Sequence, residues 1–170
     1  SSTSDGARIR FRDSEVLVTA HNAARLDHDD LFGAEFDHPD HLLTPVDVTP
    51  DEDGRIIGTA DADTLVGTND DDTITGGGAN DRIEGQQGND MVQGDDGDDM
   101  LLGGAGDDII QGGRGRDTIE AGSGNDLIDS GSGNDSIYSG TGQDVILGAD
   151  GADQIALGDG DDVALGGLGT

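Results

Sequence analysis

Residues 94–129 read GDDGDDMLL, GGAGDDIIQ, GGRGRDTIE and AGSGNDLID, four nine-residue segments laid end to end. Each carries Asp at its sixth place (Asp99, Asp108, Asp117, Asp126) and a branched aliphatic at its eighth (Leu101, Ile110, Ile119, Ile128). The same frame runs without insertion from Gly58 to Leu165, twelve segments in all. It adds Asp63, Asp72, Asp81, Asp90, Asp135, Asp144, Asp153 and Asp162 to the acidic row. To the aliphatic row it adds Leu65, Ile74, Ile83, Val92, Ile137, Ile146 and Ile155, and the row lapses only at Ala164. A short fixed period marks a stacked-repeat architecture, in which each unit buries its apolar side against the next.

Nine residues suit one turn plus one short strand. In a strand spanning positions seven to nine, alternation sends the eighth side chain to one face and its neighbours to the other. Positions one to five supply Gly, Asn, Asp and Ser, which tolerate left-handed backbone and let carbonyls turn toward a ligand. Two segments then make one coil, with strands on opposite walls, and six coils stack at about 4.8 Å. The expected fold is all-β, a parallel roll.

Composition rules out an ordinary globular core. The 170 residues hold one Tyr, three Phe, no Trp and no Cys, with a formal charge of −30. Residues 58–170 carry 25 acids against three Arg. Such a chain repels nucleic acid and resists its own compaction, so it stays a disordered polyanion or is neutralised by cations. One aliphatic per segment is too little to offset about 1 to 2 kcal/mol of backbone entropy per residue. Calcium is the natural source of the missing folding energy, because it accepts carboxylates and backbone carbonyls together in six to eight-fold coordination. No apolar run reaches membrane-spanning length, and the absence of Cys suits export.

The pattern resembles the G-G-x-G-x-D-x-U-x repeat of the RTX (repeats-in-toxin) family, over 108 of the 170 residues. The resemblance implies a right-handed parallel β-roll with Ca²⁺ held between same-side turns of neighbouring coils. The ligands it implies are the twelve Asp named above, with turn carbonyls. Those carbonyls belong to Gly94, Gly97, Gly103, Gly104, Gly106, Gly112, Gly113, Gly115, Gly122, Gly124, Gly131, Gly133, Gly140 and Gly142. Aspartates eighteen apart share a site, which gives about ten ions. The family also implies a bacterial protein, extracellular or on the cell surface, exported by type I secretion. Asp61, Asp70 and Ala79 replace the fourth-position Gly in the first three segments, so weak or absent sites are expected there. Ala121, Ser130, Ser139 and Leu157 replace the first Gly, and those turns are expected to survive.

Residues 1–43 read as a separate small region and 44–57 as a Pro- and Asp-rich linker, with the roll over 58–170. Arg8–Phe11 and Val16–Thr19 look like two strands of a hairpin. His21, His28, His38 and His41 have no zinc-finger or zincin spacing and read as polar loop. No H-E-x-x-H, G-x-S-x-G or Walker loop occurs, so the chain reads as non-catalytic. The chain starts without Met and stops inside a new repeat, as an excised fragment would; an enzyme or toxin part in missing sequence is one alternative. Another is a structural or adhesive protein. At the seventh position of alternate segments stand Met91, Ile109, Leu127, Val145 and Val163, an outward apolar row that reads as a packing face. Simple strand preference of such residues is the competing explanation.

Overall fold

The structure, a computed structural model, describes residues 6–11, 14–19 and 55–169. The chain divides into two compact units, Ser1–Thr44 and Pro45–Thr170. In the first, β1 (Gly6–Phe11) pairs antiparallel with β2 (Ser14–Thr19), Arg8 opposite Leu17. The four His and residues 44–54 of the expected linker lie outside the described residues.

The second unit is a parallel β-solenoid of about six turns without a helix among its described residues, a parallel β-roll. Among the described residues no helix is long and apolar enough to cross a membrane. Its strands are β3 (Arg55–Ile57), β4 (Thr64–Val66), β5 (Thr73–Gly78), β6 (Arg82–Gln87), β7 (Met91–Asp96) and β8 (Met100–Ala105). They continue as β9 (Ile109–Arg114), β10 (Thr118–Ser123), β11 (Leu127–Ser132), β12 (Ser136–Thr141), β13 (Val145–Leu147), β14 (Gln154–Ala156) and β15 (Val163–Leu165). One wall runs β4-β6-β8-β10-β12-β14 and the other β3-β5-β7-β9-β11-β13-β15. Register is eighteen residues throughout: Val92 pairs with Ile110, and Ile110 with Ile128. The nine-residue period thus becomes a stack in which every aliphatic sits on its own equivalent.

The aliphatic row is the core. Leu65, Ile74, Ile83, Val92, Leu101, Ile110, Ile119, Ile128, Ile137 and Ile146 are buried, while Ile155 is only partly so and Ala164 is exposed. Ile56 joins them, paired with Ile74, so the roll's first strand starts inside the stretch expected to be a connector. Ile56 lies nine residues before Leu65, on the same row; the Pro and Asp residues before it had masked that phase.

Two further differences have a common cause. From β5 to β12 the strands run six residues rather than three, through the first three positions of the following segment. Alternation then continues, so the sixth, eighth and next first positions all face inward. This explains why Ala121, Ser130 and Ser139 are fully buried. The strands end where the fourth-position Gly turns to positive φ, as at Gly106 (φ 137°). On the outside, Met91, Ile109, Leu127, Val145 and Val163 stand exposed in register along the seven-stranded wall. The other wall is not wholly polar, since Val66, Met100 and Tyr138 are exposed on it.

Candidate metal centre

The Asp row forms two ladders, one along each edge of the roll. On each rung the backbone N–H of one Asp donates to Oδ1 of the Asp eighteen residues on. Asp63 donates to Asp81, Asp81 to Asp99, Asp99 to Asp117, Asp117 to Asp135 and Asp135 to Asp153, at 2.8 to 3.0 Å. On the opposite edge the chain runs Asp72, Asp90, Asp108, Asp126, Asp144, Asp162 over the same distances. These bonds hold one carboxylate oxygen of each rung and aim the other inward, because the sixth position faces the interior.

The second oxygen is left with nothing. Oδ2 of Asp81, Asp90, Asp99, Asp108, Asp117, Asp126, Asp135, Asp144 and Asp153 is buried and has no hydrogen-bond partner. Nine buried acceptors without donors are costly, and more so when charged. The protein's response is visible in their acidity. Burial pushes Asp108 up from 3.8 to about 7, and the like charges of Asp126, Asp90 and Asp107 add to it. Burial likewise raises Asp81, Asp117 and Asp126 to about 6, and Asp90, Asp99 and Asp135 move in the same direction. The backbone N–H bond on Oδ1 opposes the rise without cancelling it.

Backbone oxygens gather at the same gaps. A side chain added at Gly76, Gly85 or Gly94 would meet Oδ2 of Asp81, Asp90 or Asp99, together with the carbonyl oxygen of Gly94, Gly103 or Gly112 in the next coil. At the fourth position, a side chain added at Gly97 would meet the Ala79 carbonyl and Asp99 Oδ1. One at Gly133 would meet the Gly115 carbonyl and Asp135 Oδ1. The carbonyls of Gly104, Gly106, Gly113, Gly122, Gly124, Gly131, Gly140 and Gly142 lie between coils in the same way or accept N–H bonds there. Glycine is required at these places because coils this close leave no room for Cβ, and the space it leaves is lined by oxygen. Among the described residues no three acidic or His side chains cluster to hold a metal by side chains alone. Each gap instead brings Asp carboxylate oxygen and backbone carbonyls together, an all-oxygen lining that suits a hard divalent cation such as calcium and gives a softer metal no nitrogen or sulfur.

A second ladder was not apparent from the sequence. At the fifth position Asn89 N–H donates to Asp71 Oδ1, Asp107 to Asn89, Asn125 to Asp107 and Gln143 to Asn125, at 2.7 to 3.0 Å. It runs opposite to the sixth-position ladder, from the later coil back to the earlier. The signal was present as recurrent Asn or Asp at that position, where it reads only as turn-forming residues. Asp63 and Asp72 stand apart from the other rungs: Oδ2 of each accepts from a threonine of its own turn.

No curated protein and no solved structure matches this chain. The model of the RTX calcium-binding nonapeptide repeat matches in four copies, over residues 57–92, 93–128, 102–137 and 138–170. Together with the roll and its oxygen-lined gaps, this match over most of the sequence shows that the chain belongs to the RTX calcium-binding nonapeptide repeat family, a structural, calcium-binding repeat.

Proposed function

We propose that the roll is a non-catalytic folding module of a secreted bacterial protein, unfolded where calcium is scarce and folded by the millimolar calcium outside the cell. The observation that carries this reading is the row of nine buried Oδ2 atoms without partners. A cation in each gap would take up Oδ2 of one Asp, draw on carbonyls such as those of Gly94, Gly103 and Gly112, and offset the −22 charge of residues 58–170. The ligand set is the sixth-position aspartates whose Oδ2 lacks a partner, from Asp81 onward, with the turn carbonyls. Twelve turns on two edges define about ten gaps. Bound calcium supplies charge neutralisation and cross-links consecutive coils, while the chain's own residues orient the oxygens and the aliphatic row excludes water. Because the site exists only in the folded roll, binding free energy is folding free energy. Dissociation constants on the order of 10⁻⁴ to 10⁻³ M suit extracellular use.

The test is a calcium titration of chelator-treated protein followed by far-UV circular dichroism, with magnesium as control. A cooperative coil-to-β transition in calcium alone is expected, because magnesium demands tighter octahedral geometry and keeps its waters. Spectra unchanged up to about 10 mM calcium, above the weakest expected site, would overturn the reading.

The exposed apolar wall favours a second reading, in which copies or partners assemble through Met91, Ile109, Leu127, Val145 and Val163. A sedimentation mass that rises with protein concentration in calcium supports it. A monomer at every concentration removes self-association.

A further inference from the structure

The first coil does not share the orphaned carboxylates. Thr59 and Thr68 occupy the second position of its two turns. Thr59 donates both its N–H (2.6 Å) and its Oγ1–H (2.9 Å) to Asp63 Oδ2. Thr68 does the same to Asp72 Oδ2, at 2.6 and 2.9 Å. Each hydroxyl also accepts an N–H from two residues on, Asp61 at 3.1 Å and Asp70 at 3.2 Å. Asp63 Oδ2, at 2.9 Å, is a nearer acceptor for the Thr59 hydroxyl than the Asp61 carbonyl at 3.5 Å. The atom that is bare in nine later turns is here closed by two protein donors.

The backbone agrees. From the third to the eleventh turn the second position takes positive φ, mostly as Gly, as at Gly104 (φ 119°) and Gly122 (φ 118°), and also as Gln86, Asp95 and Ala149, whereas neither Thr59 nor Thr68 adopts positive φ. Strands β3 and β4 stop after three residues, as do β13 to β15 at the other end, where β5 to β12 run six. One of the two first-position carbonyls of this coil is also engaged: Gln86, held at φ 85°, donates Nε2 to the Gly67 carbonyl at 2.6 Å. In later coils the equivalent carbonyls, such as those of Gly94 and Gly103, face an orphaned Oδ2.

We infer that the first coil, residues 58–75, is a metal-free cap in which Thr59 and Thr68 stand where calcium would act, so that ion binding begins at Asp81 and Asp90. The inference rests on the calcium reading above and narrows it. Two N–H or O–H hydrogens on one oxygen present positive ends toward any approaching cation, and both bonds must break before it enters. Terminal units of a repeat array have a neighbour on one side only, and atypical capping units are the usual solution. Closing two of about ten gaps leaves about eight ions.

Equilibrium dialysis against saturating calcium, with bound ions counted by elemental analysis, tests this on the full chain. Asp63→Asn/Asp72→Asn is expected to bind as many ions as the parent, since an amide oxygen still accepts both threonine bonds. Asp99→Asn, whose residue borders two gaps, is expected to lose one or two. A loss of one or more ions in the double variant, with Asp99→Asn behaving as stated, overturns the cap while leaving calcium binding intact. A parent that binds no calcium overturns the underlying reading and the cap with it. Should the double variant fail to fold, Asp72→Asn alone carries the same two outcomes. As an independent measurement, Thr59→Val/Thr68→Val should lower the melting temperature in calcium without changing the ion count, and Thr59→Ser/Thr68→Ser should restore it. An unchanged melting temperature in the Val variant would show that the threonines close nothing.

Discussion

Replacing Ile110 by Ala removes the centre of the aliphatic stack and measures how tightly calcium is coupled to folding. Ile110 is wholly buried and packed in register between Val92 and Ile128. The roll's walls are pinned every eighteen residues by ladder bonds and cannot collapse into the space. The loss should therefore fall in the middle of the range for such truncations, about 3 to 4 kcal/mol. If folding and the binding of about eight ions are one event, that loss is spread over all of them. Dividing 3.5 kcal/mol by eight times RT gives a rise of only about twofold in the calcium concentration at mid-transition. The assay is the calcium titration by circular dichroism, run beside urea unfolding at saturating calcium to measure the energetic loss itself. A urea loss of this size with an unmoved calcium midpoint would refute the coupling. A midpoint shift of tenfold or more would mean that no more than about two or three ions drive folding, and the reasoning from the carboxylate rows would fail.

Acid should act in the opposite sense with and without calcium. A carboxylate whose folded pKa is raised binds its proton more tightly folded than unfolded, so the penalty on the calcium-free roll is full above about pH 7 and disappears below 3.8. In chelator, β-structure should therefore increase as pH falls from about 8 to about 5; constant spectra across that window would contradict the burial of these groups. With calcium present, protons compete for Asp81, Asp108, Asp117 and Asp126, so the calcium midpoint should rise as pH drops from about 7 to about 6, as a titration at each pH would show. Gly106→Ala combines φ 137° with a Cβ driven into the Gly88 carbonyl, and should cost more than about 2 kcal/mol by urea unfolding. A loss below about 0.5 kcal/mol would show that the coils are less closely stacked than described. On the apolar wall, Leu127→Glu should abolish any calcium-dependent increase in sedimentation mass while leaving the calcium midpoint within about twofold; persistence of the larger mass would place the contact elsewhere.

Much of the roll and of its acidic rows is legible in the sequence because the relevant residues recur at one covalent spacing. Asp108 and Ile110 are legible as an acidic position and a core position since ten other segments repeat the same pair. Fewer copies would have left Asp108 as one acid among 38. The readings that went astray concern local backbone direction. Ile56 stands on the aliphatic row but follows a Pro- and Asp-rich stretch, and composition outweighed phase. The turns after Ala121, Ser130 and Ser139 survive as expected, but these three are not themselves turn residues. They are interior residues because the strand continues past the ninth position.

By itself, the sequence determined the period, the inward aliphatic row, the excess of negative charge and the oxygen-rich chemistry of the turns. All of these follow from residue type and spacing, which are fixed along the chain. Tertiary structure decided which carboxylate oxygen is satisfied and which is bare. That depends on an eighteen-residue register carrying one coil's N–H to the next coil's Oδ1, and on a few φ angles near Thr59, Thr68 and Gln86. Asp63 and Asp108 are the same residue at the same place in the repeat. Only the direction of neighbouring donors, which is set by packing between coils, makes one a closed hydrogen-bond acceptor and the other a buried oxygen without a partner.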